Sequence, residues 1–410
     1  MTKYVIVGNG IAGINAASIL RREDPSSTIE IYTDESYLTY SRPKLPGYIA
    51  NLVDFQDLFI RNEEYYQEND IKLYLSSKVI NIHPDKKQIE LYNGSKIQYD
   101  KLLLAAGSHA FIPPIKGANK KNVMSVRSLD DANKLINLLK ISEKVIVIGG
   151  GLLGIEIANS IRLHGNSVTI VEFYPRLLPR QLDVEGAKFL QNILEKKGIK
   201  VVLGAVTDEI PGEDIATGIK LKDGRSIPAD CIVISAGMHP NIHIVEKTNI
   251  NFNRGIIVNE YMETNYPDIF AAGDIAEFNG RVWGIIPAAF AQSKIAAINM
   301  VHSRKEKYQD IIPSNTLKVA DIDLTSMGTV YFDHKLENII EKRIIDEKNS
   351  IYKKLVVKKE TGSMNVLGAI LIGDKTNSQK IFKLIREKID VSKFLDSILV
   401  NEFDLNQKNI

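Results

Sequence analysis

The chain has 410 residues, of which 44% are hydrophobic and 25% charged, and its formal net charge is +2. This composition is typical of a globular protein with two or three domains, and the near-neutral charge argues against nucleic-acid binding through bulk positive charge. The single cysteine, Cys231, excludes an internal disulfide, a pair of redox cysteines and a cysteine-ligated iron–sulfur cluster within this chain.

The seven histidines show no metal-binding spacing, so no metal site is expected. A strand that starts near residue 4 leaves no room for a signal peptide, and no apolar run is long enough to span a bilayer. We therefore expect a soluble, cytoplasmic protein with no membrane or nucleic-acid partner. The lysine pairs at 120–121, 353–354 and 358–359 are expected to lie on solvated faces.

The first predicted element is a short buried strand, Val5–Val7, that leads into Gly8, Gly10, Gly13 and a small-residue helix. In such a strand–turn–helix the first glycine allows the tight turn and the second lets a pyrophosphate approach the backbone. The third lets the helix pack closely on the strand. The phosphates would then lie at the positive end of the helix dipole. A single motif of this kind also occurs in ordinary strand–helix turns, so it does not identify a nucleotide site without support from the rest of the chain.

The second predicted strand, Thr28–Thr33, ends at Asp34 and Glu35. An acidic side chain about 20 residues after the glycines commonly binds the ribose hydroxyls of a dinucleotide. The alternative is a solvent-exposed strand end with two carboxylates.

The next segment, Tyr40–Gly47, is predicted to be a loop stiffened by two prolines, and it carries Arg42 and Lys44. Either cation is a candidate to face a bound ligand. A pyrophosphate contact or a surface charge is the alternative for each of them. Farther along, a predicted strand at Lys101–Leu104 ends in AAG, where Ala106 and Gly107 leave room for a ligand.

The same order of features then recurs. A second buried strand, Lys144–Ile148, runs into a glycine turn and a helix, and the strand after that helix again ends in an acidic residue. Farther on, a predicted strand at Cys231–Ser235 again ends in small residues. The corresponding glycines and acidic residue are Gly149, Gly151, Gly154, Glu172 and Gly237. Duplication of a whole dinucleotide-binding unit is difficult to obtain by chance, so the sequence predicts two nucleotide sites.

A third signature, FAAGD, places Asp274 at the end of a buried strand, where a carboxylate can bind a polyol chain. A small-residue helix is predicted at Pro287–His302. The remaining residues predict a small α+β domain without a visible ligand motif, with these elements: strands Leu317–Ile322, Ser350–Lys358 and Val366–Ile372, and a basic amphipathic helix Gln379–Ile389.

With these motifs in family order from Lys3 to about Met300, the chain resembles the pyridine nucleotide–disulfide oxidoreductases in the broad sense. YSRPKLPGYI and LPRQLD (Leu178–Asp183) are similar to the branch of NADH:rubredoxin oxidoreductases, which includes the flavin module of NADH-dependent nitrite reductases. The family's usual ATG triplets read AAG and SAG here. The resemblance implies an α/β protein with two Rossmann-like domains of the glutathione-reductase type, for FAD and NAD, and a small C-terminal α+β domain.

The implied domain boundaries are 1–112 together with 242–308 for FAD, 113–241 for NAD(H) and 309–410 for the C-terminal domain. The resemblance implies that FAD takes the first glycine turn, with Asp34 or Glu35 at its adenosine ribose and Asp274 at its ribityl chain. Val79 occupies the position that often contacts adenine. NAD(P)H takes the second turn, with Glu172 at the adenosine ribose and Glu156 near the nicotinamide.

Disulfide reductases of this family carry a pair of redox cysteines, and the peroxidases carry a single cysteine in the loop before the flavin. The loop here has none, and Cys231 is expected to be a buried structural thiol. Arg42 or Lys44 is the expected cation beside the flavin. Glu172 would accept a free 2′-hydroxyl and repel a 2′-phosphate, so NADH is expected over NADPH, although nearby Arg176 could soften that rejection.

The resulting expectation is an enzyme that transfers hydride from NADH to FAD and then electrons to a small one-electron carrier, first of all rubredoxin. The alternatives are an NADH oxidase, a ferredoxin reductase or a flavin donor module for nitrite reduction. A complete nitrite reductase subunit is excluded, because one cysteine cannot hold its iron–sulfur centre. A non-enzymatic, NADH-responsive flavoprotein, like the relatives of apoptosis-inducing factor, has no support in the tail sequence.

Overall fold

The structure is a computed structural model that describes residues 1–319, 321–331 and 338–400. The chain divides into two compact units. The first comprises Met1–Tyr48, Val53–Phe111 and Gly237–Ile311, and the second comprises Ile49–Leu52, Ile112–Ala236 and the described residues after Ile311. None of the helices in these described ranges is both long and apolar enough to cross a bilayer.

The secondary structure consists of short strands and eight α-helices within the described residues. The strands are β1 Lys3–Val7, β2 Thr28–Tyr32, β3 Ile71–Tyr74, β4 Val79–His83, β5 Gln88–Leu91, β6 Lys96–Gln98, β7 Lys101–Leu104, β8 Ser108–Ala110, β9 Val123–Met124, β10 Lys144–Ile148, β11 Ser167–Val171, β12 Lys200–Val202, β13 Thr207–Glu209, β14 Gly218–Leu221, β15 Ser226–Pro228, β16 Cys231–Ile234, β17 Met238–Pro240, β18 Ile256–Ile257, β19 Ile269–Ala271, β20 Ala276–Glu277, β21 Ser314–Val319, β22 Ile322–Gly328, β23 Ile339–Asp346, β24 Ile351–Glu360 and β25 Ser363–Ile372. The helices are α1 Ile11–Glu23, α2 Leu45–Ile49, α3 Glu63–Glu68, α4 Leu129–Leu139, α5 Leu152–Leu163, α6 Val184–Lys196, α7 Ile286–His302 and α8 Ser378–Glu387.

The core of the first unit is a parallel sheet with strand order β19–β7–β1–β2–β3. Its central strand β1 is buried, because the apolar Val5, Ile6 and Val7 are covered on both faces. Helices α1 and α7 pack against each other, and their buried alanines permit a close approach. Parallel strands end at the same edge of a sheet, so the segments that follow β1, β2, β7 and β19 meet there.

The second unit repeats this arrangement in a parallel sheet with strand order β12–β11–β10–β16–β9. Here the central strand is β10, and the segments that follow β10, β11 and β16 share one edge. The antiparallel ribbon β13–β14–β15 belongs to the same unit, as the ribbon β4–β5–β6 belongs to the first. The internal duplication predicted from the sequence therefore corresponds to two five-stranded parallel sheets, one in each unit.

The second unit also contains the C-terminal antiparallel sheet, with strand order β21–β22–β25–β24–β23. One face packs on α8, whose Ile381 and Leu384 join the apolar core of this region. The other face packs toward α6, where Tyr352 of β24 donates a hydrogen bond to Asp183, the residue that caps the N-terminus of α6.

Two sequence predictions of local structure were wrong. The segment from Tyr40 to Gly47 is not a stiff loop, because Arg42–Lys44 forms a 3-10 turn that runs directly into α2. The predicted strand Leu317–Ile322 instead crosses the turn between β21 and β22, at Asp321, which has a left-handed φ of 66°. Ala320 of that prediction lies outside the described residues.

The expectation of a solvated face at Lys353–Lys354 was also wrong, since the two lysines are only 5% and 2% exposed. Lys353 Nζ lies 2.7 Å from a carboxylate oxygen of Asp374. Lys354 Nζ lies 2.9 Å from Asp183 and 2.7 Å from Glu341. The two ammonium groups are tolerated in the interior because each is paired with at least one carboxylate.

Candidate functional site

In the first glycine turn, between β1 and α1, two of the three glycines are tightly packed and the third borders open space. A Cβ atom at Gly8 would lie within 3.0 Å of the Ala105 carbonyl oxygen, and one at Gly13 would lie equally close to the Gly8 carbonyl oxygen. A Cβ atom at Gly10 would instead have Arg42 Nη1, at 3.8 Å, as its nearest neighbour. The packing therefore requires the first and third glycines, whereas the space above Gly10 is available to a ligand.

Gly10 is also the N-cap of α1, a helix of 13 residues whose first N–H groups receive no side-chain cap. Uncapped N–H groups and the helix dipole together favour an anion at this position. The open space above Gly10 therefore fits a pyrophosphate group, which is the part of a dinucleotide expected at such a turn.

Arg42 supplies positive charge at the same place. Its guanidinium forms an ion pair with Glu35 and lies 5.5 Å from the centre of the Tyr40 ring. Burial lowers the pKa of Arg42, but the neighbouring Tyr40, Glu35 and Asp274 outweigh it and raise that pKa above its usual value. Arg42 is therefore a permanent cation beside the open glycine.

The two acidic candidates after β2 differ in their surroundings. Glu35 accepts hydrogen bonds from Tyr40 Oη, at 2.6 Å, and from Arg42, whereas Asp34 is exposed. Lys44 is also exposed, and it donates to the Asp57 carbonyl at 2.6 Å. The fold thus brings Glu35 and Arg42 together beside the glycine turn, whereas the Lys44 ammonium group is held by a backbone carbonyl of another segment.

The remaining candidates of the first unit follow β7 and β19. The Asn241 side chain donates to the Ala106 carbonyl at 2.7 Å, and the Asn241 backbone N–H donates to the Gly107 carbonyl at 3.0 Å. Ser108 Oγ donates to Asp274 at 3.0 Å. Asn241 and Ser108 therefore fix the segment that carries AAG.

Two further candidates lie in this unit, Val79 and Gly237, although the sequence analysis placed Gly237 in the NAD(H)-binding segment 113–241. Gly237 has a φ of 117°, and no atom lies within 4 Å of where its Cβ would be. Val79 is 5% exposed and lies in β4. An adenine at Val79 would therefore have to contact mainly its backbone.

The second glycine turn has the same geometry as the first. A Cβ atom at Gly149 would lie within 3.0 Å of the Ser235 carbonyl oxygen, and one at Gly154 equally close to the Gly149 carbonyl oxygen. No described atom lies within 4 Å of a Cβ atom at Gly151, which is the N-cap of α5 and has no side-chain cap. This turn therefore fits a second dinucleotide.

Glu172, at the end of β11, is 5% exposed and accepts the backbone N–H groups of Gly150 and, at 2.7 Å, Tyr174. Its carboxylate is thereby held against the second glycine turn. Arg176 donates to the Pro179 carbonyl at 3.1 Å, and its guanidinium lies 5.7 Å from the centre of the Tyr331 ring. Glu156 lies on α5, where burial raises its pKa to about 7.

The sequence interpretation missed a buried polar cluster beneath the first turn. Asn9 is 7% exposed, and its Oδ1 accepts hydrogen bonds from Thr39 Oγ1, at 2.9 Å, and Tyr66 Oη, at 3.1 Å. This cluster joins the glycine turn to α3. The only sequence signal was an amide side chain between two motif glycines. Cys231 is fully buried, as predicted, and burial raises its pKa to about 12, so it is not a thiolate near neutral pH.

Two glycine turns, each at the edge of a parallel sheet, are also found in a known protein family. Residues 2–296 match the family model described as pyridine nucleotide-disulphide oxidoreductase. The chain belongs to this family. Residues 313–389 match a second model, described as the C-terminal domain of rubredoxin NAD⁺ reductase.

Relatives and solved structures agree with this assignment. The chain is 34% identical to an NADH-rubredoxin oxidoreductase of Clostridium acetobutylicum, over 97% of each chain. It is 36% identical to a nitrite reductase [NAD(P)H] of Bacillus subtilis, over 95% of this chain and 48% of that protein. Among solved structures, an NADH:rubredoxin oxidoreductase from Clostridium acetobutylicum matches with a TM-score of 0.79 and 32% identity, over 98% of this chain and 99% of that one.

The family resemblance and the fold class predicted from the sequence are therefore confirmed: the chain is a member of a family of FAD- and NAD(P)H-dependent oxidoreductases with a C-terminal domain. The chain spans about half the length of the first two curated relatives, 48% and 50% respectively.

Proposed function

We propose that the chain is an NADH-dependent FAD enzyme that delivers electrons to a small one-electron carrier, with rubredoxin as the first candidate. The observation that carries this proposal is the end-to-end similarity to an NADH-rubredoxin oxidoreductase, over 97% of both chains. The buried Cys231 supports it, because it cannot relay electrons as an exposed redox thiol would. We also propose a cytoplasmic location.

For the FAD site we propose residues 1–112 and 242–308. Gly8, Gly10 and Gly13 would form the pyrophosphate turn. Arg42 would supply the facing cation, supported by its Nη1, which lies 3.8 Å from where a Cβ atom of Gly10 would be. Asp34 or Glu35 would bind the adenosine ribose. The residues proposed for the adenine, flavin and ribityl contacts are Val79, Ala106, Gly107 and Asp274.

For NADH we propose residues 113–241, with Gly149, Gly151 and Gly154 as the pyrophosphate turn and Gly237 at the small-residue strand end. Glu172 would accept the 2′-hydroxyl of the adenosine ribose, and its fixed carboxylate supports NADH over NADPH, because a 2′-phosphate would meet like charge. Glu156 would lie near the nicotinamide. When bound, FAD supplies the ability to accept a hydride and release electrons one at a time, so the protein has to bind and align the two cofactors.

The deciding experiment is rapid mixing of the anaerobically NADH-reduced protein with rubredoxin, ferredoxin or oxygen, followed by flavin absorbance. We expect reoxidation by rubredoxin to be fastest. If oxygen reoxidises the flavin quickly and rubredoxin adds nothing, the carrier proposal is refuted and an NADH oxidase remains. That alternative has a relative, an NADH oxidase of Methanocaldococcus jannaschii, 31% identical over 82% of this chain and 78% of that protein.

A second candidate is a flavin module that donates electrons for nitrite reduction. It is favoured by the 36% identity to the nitrite reductase, in which the match covers only about half of the longer protein. The test adds a separately purified nitrite-reducing domain to the NADH-reduced protein and measures the consumption of nitrite. Reduction of nitrite faster than reduction of rubredoxin would favour this second function over the first.

A further inference from the structure

The outer edge of the C-terminal sheet is formed by β23, an eight-residue strand at the end of the strand order. No strand in the described ranges pairs with that edge. Four consecutive side chains, Lys342 to Ile345, are exposed, and Ile344 and Ile345 are 36% and 51% exposed. A long exposed edge with apolar side chains is a template for pairing with another strand.

The backbone groups that point outward can be identified from the pairing with β24. The register places Ile339 opposite Lys358, and in its continuation the Lys359 N–H donates to the Asn338 carbonyl, its directly opposite partner, at 2.8 Å. Hydrogen-bonded pairs alternate along an antiparallel ladder. The even-numbered residues of β23 therefore bond inward to β24, and the odd-numbered residues, from Ile339 to Ile345, present their N–H and C=O groups outward.

We propose that this edge is a self-association surface on which β23 of two copies pairs antiparallel around a twofold axis at Lys342. In an antiparallel ladder each outward residue must face an outward residue of the other strand. Only one register pairs all the outward residues of one strand with those of the other. In it Glu341 faces Arg343 of the second copy, and Ile339 faces Ile345 of the second copy.

The side chains fit this register. Within one chain Glu341 and Arg343 are ion-paired with each other. Glu341 is also ion-paired with Lys354, and Arg343 with Glu185. In this register Glu341 of each copy additionally lies opposite Arg343 of the other, and the contact occurs twice because the axis makes it reciprocal. On the other face, Ile340 meets Ile344 of the second copy. The two Lys342 side chains on the axis are the one directly opposite pair of like charges, and each Lys342 Nζ already lies 2.9 Å from Asp396 of its own chain. Charge and apolar complementarity therefore favour a second copy of this chain as the occupant of the edge.

The register can be tested by cross-linking the 410-residue chain loaded with FAD. In this pairing the two residues at position 342 form a non-hydrogen-bonded pair with Cα atoms about 4.5 Å apart, within disulfide range. We expect Lys342→Cys to form a disulfide dimer under mild oxidation, while Ile344→Cys, displaced from the axis, does not. The buried Cys231 does not interfere. Equal cross-linking of both variants, or none at Lys342→Cys, overturns the proposal.

Sedimentation velocity from about 1 to 200 µM tests the unmodified surface, since a single strand edge is expected to give a dimer of only micromolar affinity. We expect the wild type to show a dimer at high concentration and Ile345→Lys to weaken it at least about tenfold. Ile215→Lys is the matched control, because Ile215 is also exposed, at 59%, but lies outside the sheet. A wild type that stays monomeric throughout, or equal loss with both variants, refutes self-association through β23.

Discussion

The two kinds of glycine in the first turn should respond differently to an added methyl group. Gly10→Ala adds a Cβ atom whose nearest neighbour is Arg42 Nη1 at 3.8 Å, an ordinary van der Waals distance. The φ of Gly10 is −80°, which alanine adopts freely. The folded protein without cofactor should therefore tolerate this substitution, and its Tm should be close to that of the wild type.

The same methyl group would occupy the space from which a pyrophosphate approaches the backbone. Loss of one hydrogen bond to a charged group costs about 1.5–3 kcal/mol, which corresponds to roughly a 10- to 150-fold increase in the Kd for FAD. Gly13→Ala should behave differently. Its Cβ atom would lie within 3.0 Å of the Gly8 carbonyl oxygen, so the turn itself must distort and the Tm should fall.

The assay is titration of the FAD-free protein with FAD, followed by quenching of flavin fluorescence, together with thermal unfolding. Gly151→Ala is the matched control, because its Cβ atom also meets open space but in the second turn. It should leave the FAD affinity unchanged and raise the KM for NADH. The reasoning is refuted if Gly10→Ala binds FAD as tightly as the wild type, or if Gly151→Ala weakens FAD binding equally.

Substitutions of Glu172, Glu156 and Lys354 give three further predictions. Glu172→Ala should reduce the preference for NADH over NADPH in kcat/KM by about tenfold, because the repulsion of a 2′-phosphate is removed; an unchanged preference would contradict the proposed role. The folded-state pKa of Glu156, about 7, lies above its unfolded value, so its contribution to stability is complete below about pH 4.5 and is lost as the pH rises through 7. The wild-type free energy of unfolding, measured with urea, should therefore fall between about pH 5 and about pH 8, by at most about 3 kcal/mol from Glu156, and Glu156→Gln should remove this part of the decrease. Lys354→Met should destabilise the protein by about 3–5 kcal/mol in chemical unfolding, because Asp183 keeps a buried carboxylate without its ammonium partner; the added substitution Asp183→Asn should recover part of that loss.

The elements that could be predicted from the sequence are those encoded by local patterns. A β-branched run followed by spaced glycines predicts a strand, a turn and a helix because each residue acts on its immediate neighbours. The open position of Gly10 and Gly151 and the crowding at the outer glycines agree with that pattern. The prediction of a strand at Leu317–Ile322 was wrong because the alternation of apolar and polar residues continues through a turn. Only the left-handed φ of Asp321 shows where the chain reverses.

The surroundings of charged residues could not be predicted, because the partners come from distant segments. Lys354 looks like part of a solvated lysine pair until the fold places Asp183 and Glu341 beside it. Arg42 and Lys44 are equivalent as candidates in the sequence, two residues apart. The short 3-10 turn separates them, so that Arg42 lies beside Gly10 and Glu35 while Lys44 bonds to the Asp57 carbonyl.

The two glycine turns share a backbone geometry but differ in charge, and in the proposed assignment, with FAD at the first turn and NADH at the second, this difference corresponds to what each cofactor has to do. A resident FAD has to stay bound through every turnover, whereas NADH has to bind and leave. The first turn has the permanently charged Arg42 at 3.8 Å from the Cβ position of Gly10, and no described atom lies within 4 Å of the equivalent position at Gly151. Charge-assisted hydrogen bonds to phosphate are roughly twice as strong as neutral ones. We therefore infer that retention of FAD depends on the side chain added beside the turn, while exchange of NADH depends on a turn that offers mainly backbone N–H groups.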